Sequence, residues 1–177
     1  MSYAATDADD QGPTIIVGLG NPILGDDGVG WRVLDAFEQR LRLDPLSSAT
    51  VGPIATDRLA VGGLSLMERL VGYRRAIIVD AEVGGIPGTV RVADVEDVRG
   101  RVAAHLDCAH DVTVARAMEV ARDLGRLVPR NVRVITVAVP PPISFAETLS
   151  PAVAAAVEPA VDALIDELAV YAVVGAD

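Results

Sequence analysis

The sequence predicts an α/β protein built on a twisted, mostly parallel sheet covered by helices on both faces. Three observations predict it. Short continuous apolar runs bounded by glycine, proline or charged residues mark buried strands, and Thr14–Leu19, Arg75–Ala81 and Asn131–Val139 are such runs. Stretches with apolar residues at helical spacing fall around them. The alternation of the two over 177 residues suits one layered domain.

The elements follow in order. Met1 to Pro13 reads as a short disordered tail: it lacks the basic and apolar regions of a signal peptide. Thr14–Leu19 is the first central strand. From Gly28 to Leu43, Val29, Val33, Phe37 and Leu41 recur at helical spacing, with Arg32, Asp35, Glu38 and Arg42 on much of the other face. Ala49–Ile54 is a weaker strand candidate, and Gly62-Gly63 breaks the chain ahead of a short helix over Ser65–Val71. Arg75–Ala81 is a second buried strand, closing on Asp80. Thr89–Ala93 alternates as an edge or antiparallel strand should, after the turn Gly84-Gly85-Ile86-Pro87-Gly88.

Residues 95 to 110 are polar and hold both histidines; Val112–Leu124 is helical, and Asn131–Val139 runs into Pro140-Pro141-Pro142. Ser150-Pro151 reads as an N-cap followed by proline at the first helical position. The last helix buries Val153, Val157, Val161, Leu164 and Leu168, and Pro159 should split it near Val157–Glu158.

Composition excludes several functions. With 51% apolar but only 3% aromatic residues, the core must be aliphatic. All 15 basic residues are arginine, and the net charge of −10 argues against a nucleic-acid groove or an anionic membrane surface. No apolar run reaches the ~20 residues of a membrane-spanning helix. The single Cys108 rules out an internal disulfide and suits a reducing compartment, so a cytoplasmic location without membrane insertion is expected.

Three polar groups carry the candidate chemistry: the Asp26-Asp27 pair, Asp80 and His110. Asp27 and Asp80 follow strands expected to be adjacent, at the sheet edge where open α/β folds place ligands. Two carboxylates and an imidazole form a mixed oxygen and nitrogen site suited to a borderline divalent ion such as zinc or nickel, with positions left open. Ordinary roles stand beside this reading. One of Asp26 and Asp27 serves as a helix cap, Asp80 as a turn residue, or His110 as a surface or capping residue. Their convergence on the ligand edge favours a site. His105, among Val102, Ala103, Ala104 and Leu106, suits packing better, and Cys108 has no flanking nucleophile signature. Gly18 and Gly20 match half of a dinucleotide fingerprint, but Asn21-Pro22 interrupts it and the third glycine is missing, which argues against NAD.

The run Gly18-x-Gly20-Asn21-x-x-x-x-Asp26-Asp27-Gly28-x-Gly30 resembles the N-terminal motif of the nickel–iron hydrogenase maturation endopeptidases. Ile77-Ile78-Val79-Asp80-Ala81 with Pro87-Gly88-Thr89, His110 ahead of Val112–Met118, and Leu149-Ser150-Pro151 with Val157-Glu158-Pro159 are similar to later parts of the same family, in order over about residues 14 to 170. The resemblance implies a three-layer α/β/α sandwich about a five-stranded sheet (phosphorylase/hydrolase-like), with residues 14–177 forming one peptidase domain.

It also implies a metal-binding and catalytic set of Asp27, Asp80 and His110, leaving Asp26 as the cap. The implied substrate is the precursor of a nickel–iron hydrogenase large subunit, which loses its C-terminal extension once nickel is in place. That nickel comes with the substrate, and the isolated protein is expected to take another divalent ion such as zinc or cadmium. A monomer is the simplest expectation for oligomeric state.

One departure concerns the loop before the second helix, where the family's acid is replaced by Val61 in Val61-Gly62-Gly63-Leu64, with Asp57 as a possible substitute. Two alternatives follow: a nickel-sensing chaperone that holds the large subunit without cutting it, and a peptidyl-tRNA hydrolase-like enzyme. The latter family also opens with Gly-Leu-Gly-Asn-Pro but needs a histidine soon after, and the first here is His105.

Overall fold

Among the described residues, five strands form one sheet in the order β2-β1-β3-β5-β4. A computed structural model describes residues 12–43, 53–60, 63–95, 97 and 114–174. Most of the expected tail, Val61, His105, Cys108 and His110 lie outside the described residues. The strands are β1 (Thr14–Leu19), β2 (Ile54–Leu59), β3 (Arg75–Val83), β4 (Val90–Asp94) and β5 (Asn131–Val139). The helices are α1 (Val29–Leu43), α2 (Gly63–Leu70), α3 (Val114–Asp123), α4 (Pro151–Ala155) and α5 (Val157–Val174), with a 3-10 turn over Gly25–Gly28.

The pairs β1–β2, β1–β3 and β3–β5 are parallel, and β4 runs antiparallel to β5 at the edge. Side-chain alternation splits the core into two layers. Ile15, Val17, Ala76, Ile78, Val132 and Val134 pack against Leu66 and Leu70 of α2 and Met118 and Ala121 of α3. On the other face, Ile16, Ile77, Val79, Ile135 and Val137 pack against Val33, Leu34 and Phe37 of α1 and Val161, Leu164 and Leu168 of α5. This is the expected α/β/α sandwich.

From β1 the chain crosses through α1 to β2 on one side, then through α2 to β3 on the other. The β1–β3 seam is therefore the topological switch point, where the loops leave in opposite directions and open a crevice at the carboxyl ends of the strands.

Three expectations shift. The second strand is Ile54–Leu59, all six of its residues half-buried, while most of the expected Ala49–Ile54 lies outside the described residues. Its polar residues are answered by both neighbouring helix layers: Thr56 and Arg58 bond Glu38 and Asp35 of α1, and Asp57 pairs with Arg69 of α2. An edge strand stabilised by charge lacks the apolar run by which the others were recognised. Next, β3 runs to Val83, so Asp80 lies within the strand rather than at its end. Finally, the last helix breaks at Ala156, just ahead of the expected Val157–Glu158. The buried stripe becomes Val153, Ala156, Ala160, Val161, Leu164 and Leu168, with Val157 only partly buried.

Candidate active site

Asp27 and Asp80 are both carried by elements that flank the β1–β3 seam. The register of β1 on β3 ends at Gly18 opposite Val79, so Asp80 is the first residue of β3 beyond the paired stretch. Its side chain belongs to the α2–α3 face by alternation. The 3-10 turn that carries Asp26 and Asp27 packs directly on β3. Both carboxylates are withdrawn from solvent, Asp27 at 2% and Asp80 at 0% exposure.

Glycines make that approach possible. A Cβ on Gly30, in the first turn of α1, would lie 2.3 Å from the Leu19 carbonyl oxygen and 2.5 Å from that of Val79. Gly20 has φ +131°, and a Cβ there would sit 1.9 Å from the Asp27 carbonyl oxygen. Any side chain at either position would lift the acidic turn off the sheet. The glycine pattern of the motif is thus a packing requirement that brings α1 onto the seam.

Main-chain N–H groups hold the acids. Asn21 N–H donates to Asp27 Oδ2 at 2.9 Å, and Ala81 N–H donates to Asp80 Oδ1 at 2.8 Å. Ile23 N–H donates to Asn21 Oδ1 at 3.2 Å, which fixes the turn from the outside. Such donors fix the direction in which each carboxyl group points.

Asp26 caps a helix, but a distant one. Its Oδ1 accepts from Ser150 N–H at 2.6 Å, across 124 residues of chain, at the start of α4. The adjoining loop is fastened beside it: Gly25 N–H donates to the Ala146 carbonyl at 2.7 Å, and Ala146 N–H donates to that of Ile23 at 3.2 Å. Between these two loops lies a cleft of about 370 Å³, lined by Leu24, Asp26, Ile143, Thr148 and Ser150 among others. Sequence reasoning took no site residue from 140–150. The only signals there are the proline run and the Ser150-Pro151 pair, and neither reveals a contact with Asp26.

The expected site set is placed in part. Asp27 and Asp80 are both buried beside the β1–β3 seam, and His110 falls outside the described residues. Among the described residues no group of three or more His, Cys, Asp or Glu side chains is arranged to hold a metal ion. Asp57 stands on the α2–α3 face of β2 but is engaged with Arg69 at 3.3 Å. Among the described residues no helix is long and apolar enough to cross a membrane.

Fold and site together define a doubly wound α/β protein with a buried acidic pair at its switch point. Comparison with known proteins makes this specific. A sequence model of the HycI hydrogenase maturation proteases matches residues 61–167. The hydrogenase 2 maturation protease of Escherichia coli (strain K12) is 26% identical over 156 residues, covering 87% of this chain and 89% of that protein.

Among solved structures, the hydrogenase maturating endopeptidase HybD of E. coli superposes with a TM-score of 0.65 at 24% identity, covering 88% of this chain and 91% of that one. The HybD protease of Thermococcus kodakarensis gives a TM-score of 0.57 at 23% identity, covering 89% and 99%. These two likenesses establish the fold. The chain belongs to the hydrogenase maturation protease family.

Proposed function

We propose that this protein is an endopeptidase that removes the C-terminal extension of a nickel–iron hydrogenase large-subunit precursor after nickel has been inserted. The observation that carries the reading is the buried Asp27–Asp80 pair at the switch point of a hydrogenase maturation protease fold. The nickel belongs to the substrate. Asp27, Asp80 and His110 are its ligands from the enzyme, two hard oxygen donors and one imidazole, a set that suits a borderline divalent ion. Helix α3 runs from the carboxyl edge down to the amino end of β5 and packs on the face to which Asp80 belongs. This supports His110, four residues ahead of Val114, as the third ligand.

Within this reading, the main-chain N–H groups of Asn21 and Ala81 hold the two carboxyl groups in orientation. An ionised carboxylate beside the scissile bond takes the proton of the attacking water and returns it to the leaving amine. When bound, the nickel supplies Lewis acidity at the same place. Cleavage then depends on correct metal loading, because the enzyme's ligands have nothing to grip on an empty precursor.

The test is processing of nickel-loaded precursor, followed by mass spectrometry of its C-terminus. Wild-type protein should shorten the loaded precursor and leave the nickel-free form intact, and Asp27→Ala and His110→Ala should each stop the reaction. Wild-type rates in both variants would refute the ligand set. Tight binding of a loaded precursor whose C-terminus never changes would favour a nickel-sensing chaperone instead.

A further inference from the structure

On the same face as Asp80, a polar row crosses three strands. Asp80 of β3 pairs in register with Thr136 of β5, and Thr136 pairs with Arg91 of β4. Directly opposed residues share a face of the sheet, so all three side chains rise on the α2–α3 side. Glu82 stands on that face too, two residues beyond Asp80 and roughly 7 Å along the strand. Its side chain is 14% exposed, and both of its oxygens are engaged: Thr136 Oγ1 donates to Oε2 at 2.8 Å, and Arg91 Nη1 donates to Oε1 at 2.9 Å.

Arg91 therefore reaches across β5 and holds its guanidinium over β3, one pleat beyond Asp80. The Thr136–Glu82 pair fixes it there. The side chain remains 44% exposed, and among the described residues its hydrogen bonding is confined to Nη1 and Glu82. The adjoining turn leaves it open, since Gly84 and Gly85 carry no side chain. A Cβ on Gly85 would be 3.9 Å from Arg91 Nη2, and a Cβ on Gly84 would meet nothing within 4 Å.

A plain cross-strand ion pair needs neither a third partner for the acid nor an uncovered arginine. A pre-positioned guanidinium with donors to spare is a receptor for a carboxylate, which it matches in shape and charge. The chain's net charge of −10 repels an anionic peptide elsewhere, so a local cation has to receive it.

We propose that Arg91 is a specificity-determining residue that binds a carboxylate of the peptide being processed. The carboxylate belongs to an acidic side chain of the C-terminal extension or to its free terminus. This rests on the endopeptidase reading and adds the chemistry of the substrate segment that lies past Asp80, toward β4. Glu82 and Thr136 are positioning residues for it.

The experiment compares wild type, Arg91→Met, Arg91→Lys and Glu82→Gln on nickel-loaded precursor. Arg91→Met should raise KM about tenfold with kcat within about twofold, the pattern of lost substrate binding; Arg91→Lys should fall between. The wild-type KM should climb with added salt, whereas that of Arg91→Met should not. Two altered precursors locate the carboxylate: one with the extension's Asp and Glu changed to Asn and Gln, one ending in a carboxamide. The form that raises the wild-type KM but leaves Arg91→Met unaffected carries the group.

An unchanged KM and salt response in Arg91→Met, while wild type still cleaves, overturns the proposal and leaves a structural ion pair. Failure of wild type to cleave overturns the endopeptidase reading instead. In that case calorimetry with the synthetic extension peptide decides the role of Arg91: equal affinity for wild type and Arg91→Met, or no binding to either, refutes it.

Discussion

Asp27 and Asp80, at the β1–β3 seam, are gripped by main-chain N–H groups, whereas Asp35 and Glu38, on α1 beside β2, are gripped by Arg58. Both pairs lie beside the same sheet, the first on a turn and a strand, the second on a helix. The first pair is buried, and the backbone orients each of its carboxyl groups. The second is half-exposed or exposed and is paired with a guanidinium, whose own pKa its partner Glu38 pushes further up. The exposed acids tie helix to strand, whereas the buried ones are aimed by the backbone at the crevice end of the sheet.

Substitution should separate the two pairs sharply. Asp80→Asn keeps the size of the side chain and removes its charge, so processing should fall on the order of a thousandfold with an unchanged far-UV spectrum. Gly30→Ala attacks the seam through packing. With no room between the Leu19 and Val79 carbonyls, the acidic turn must lift, costing about 3 kcal/mol by denaturant titration and most of the activity.

Glu38→Gln should leave the rate alone and cost under about 1 kcal/mol. Its effect also has a defined pH dependence. The Arg58 hydrogen bond holds the Glu38 carboxyl below its ordinary 4.5 in the folded protein. The stabilisation is therefore complete above that value and disappears as the pH falls through the lowered one. Melting temperatures of wild type and Glu38→Gln should differ at neutral pH and converge in acid. A rate loss in Glu38→Gln comparable with that of Asp80→Asn would erase the distinction between the two pairs.

What could be read from the sequence follows the same division. Strands β1 and β5 match their expected ranges because buried central strands are written as continuous aliphatic runs. The acids beside the seam were legible too, Asp80 at the end of an apolar run and Asp27 at the end of the glycine loop that follows another. By contrast the strand character of residues 55–59 of β2 went unread, because this stretch is tied in by ion pairs with α1 and α2 that leave no apolar trace. Asp26 was legible as a cap, but not as the cap of α4, a contact spanning 124 residues that no local pattern encodes. Arg91 and Glu82 read only as polar positions of alternating strands. Their meeting over Thr136 depends on strand order, which the sequence does not print.

The Asp26–Ser150 bond also sets a timetable. As the chain is synthesised, the motif loop emerges early, yet the residue that pins it arrives 124 positions later. Contacts of such long separation form late in folding. Until α4 docks, the turn bearing Asp27 lacks that tether to the far end of the chain. A chain ending before Ser150 therefore lacks the one bond by which Asp26 ties the motif loop to the start of α4.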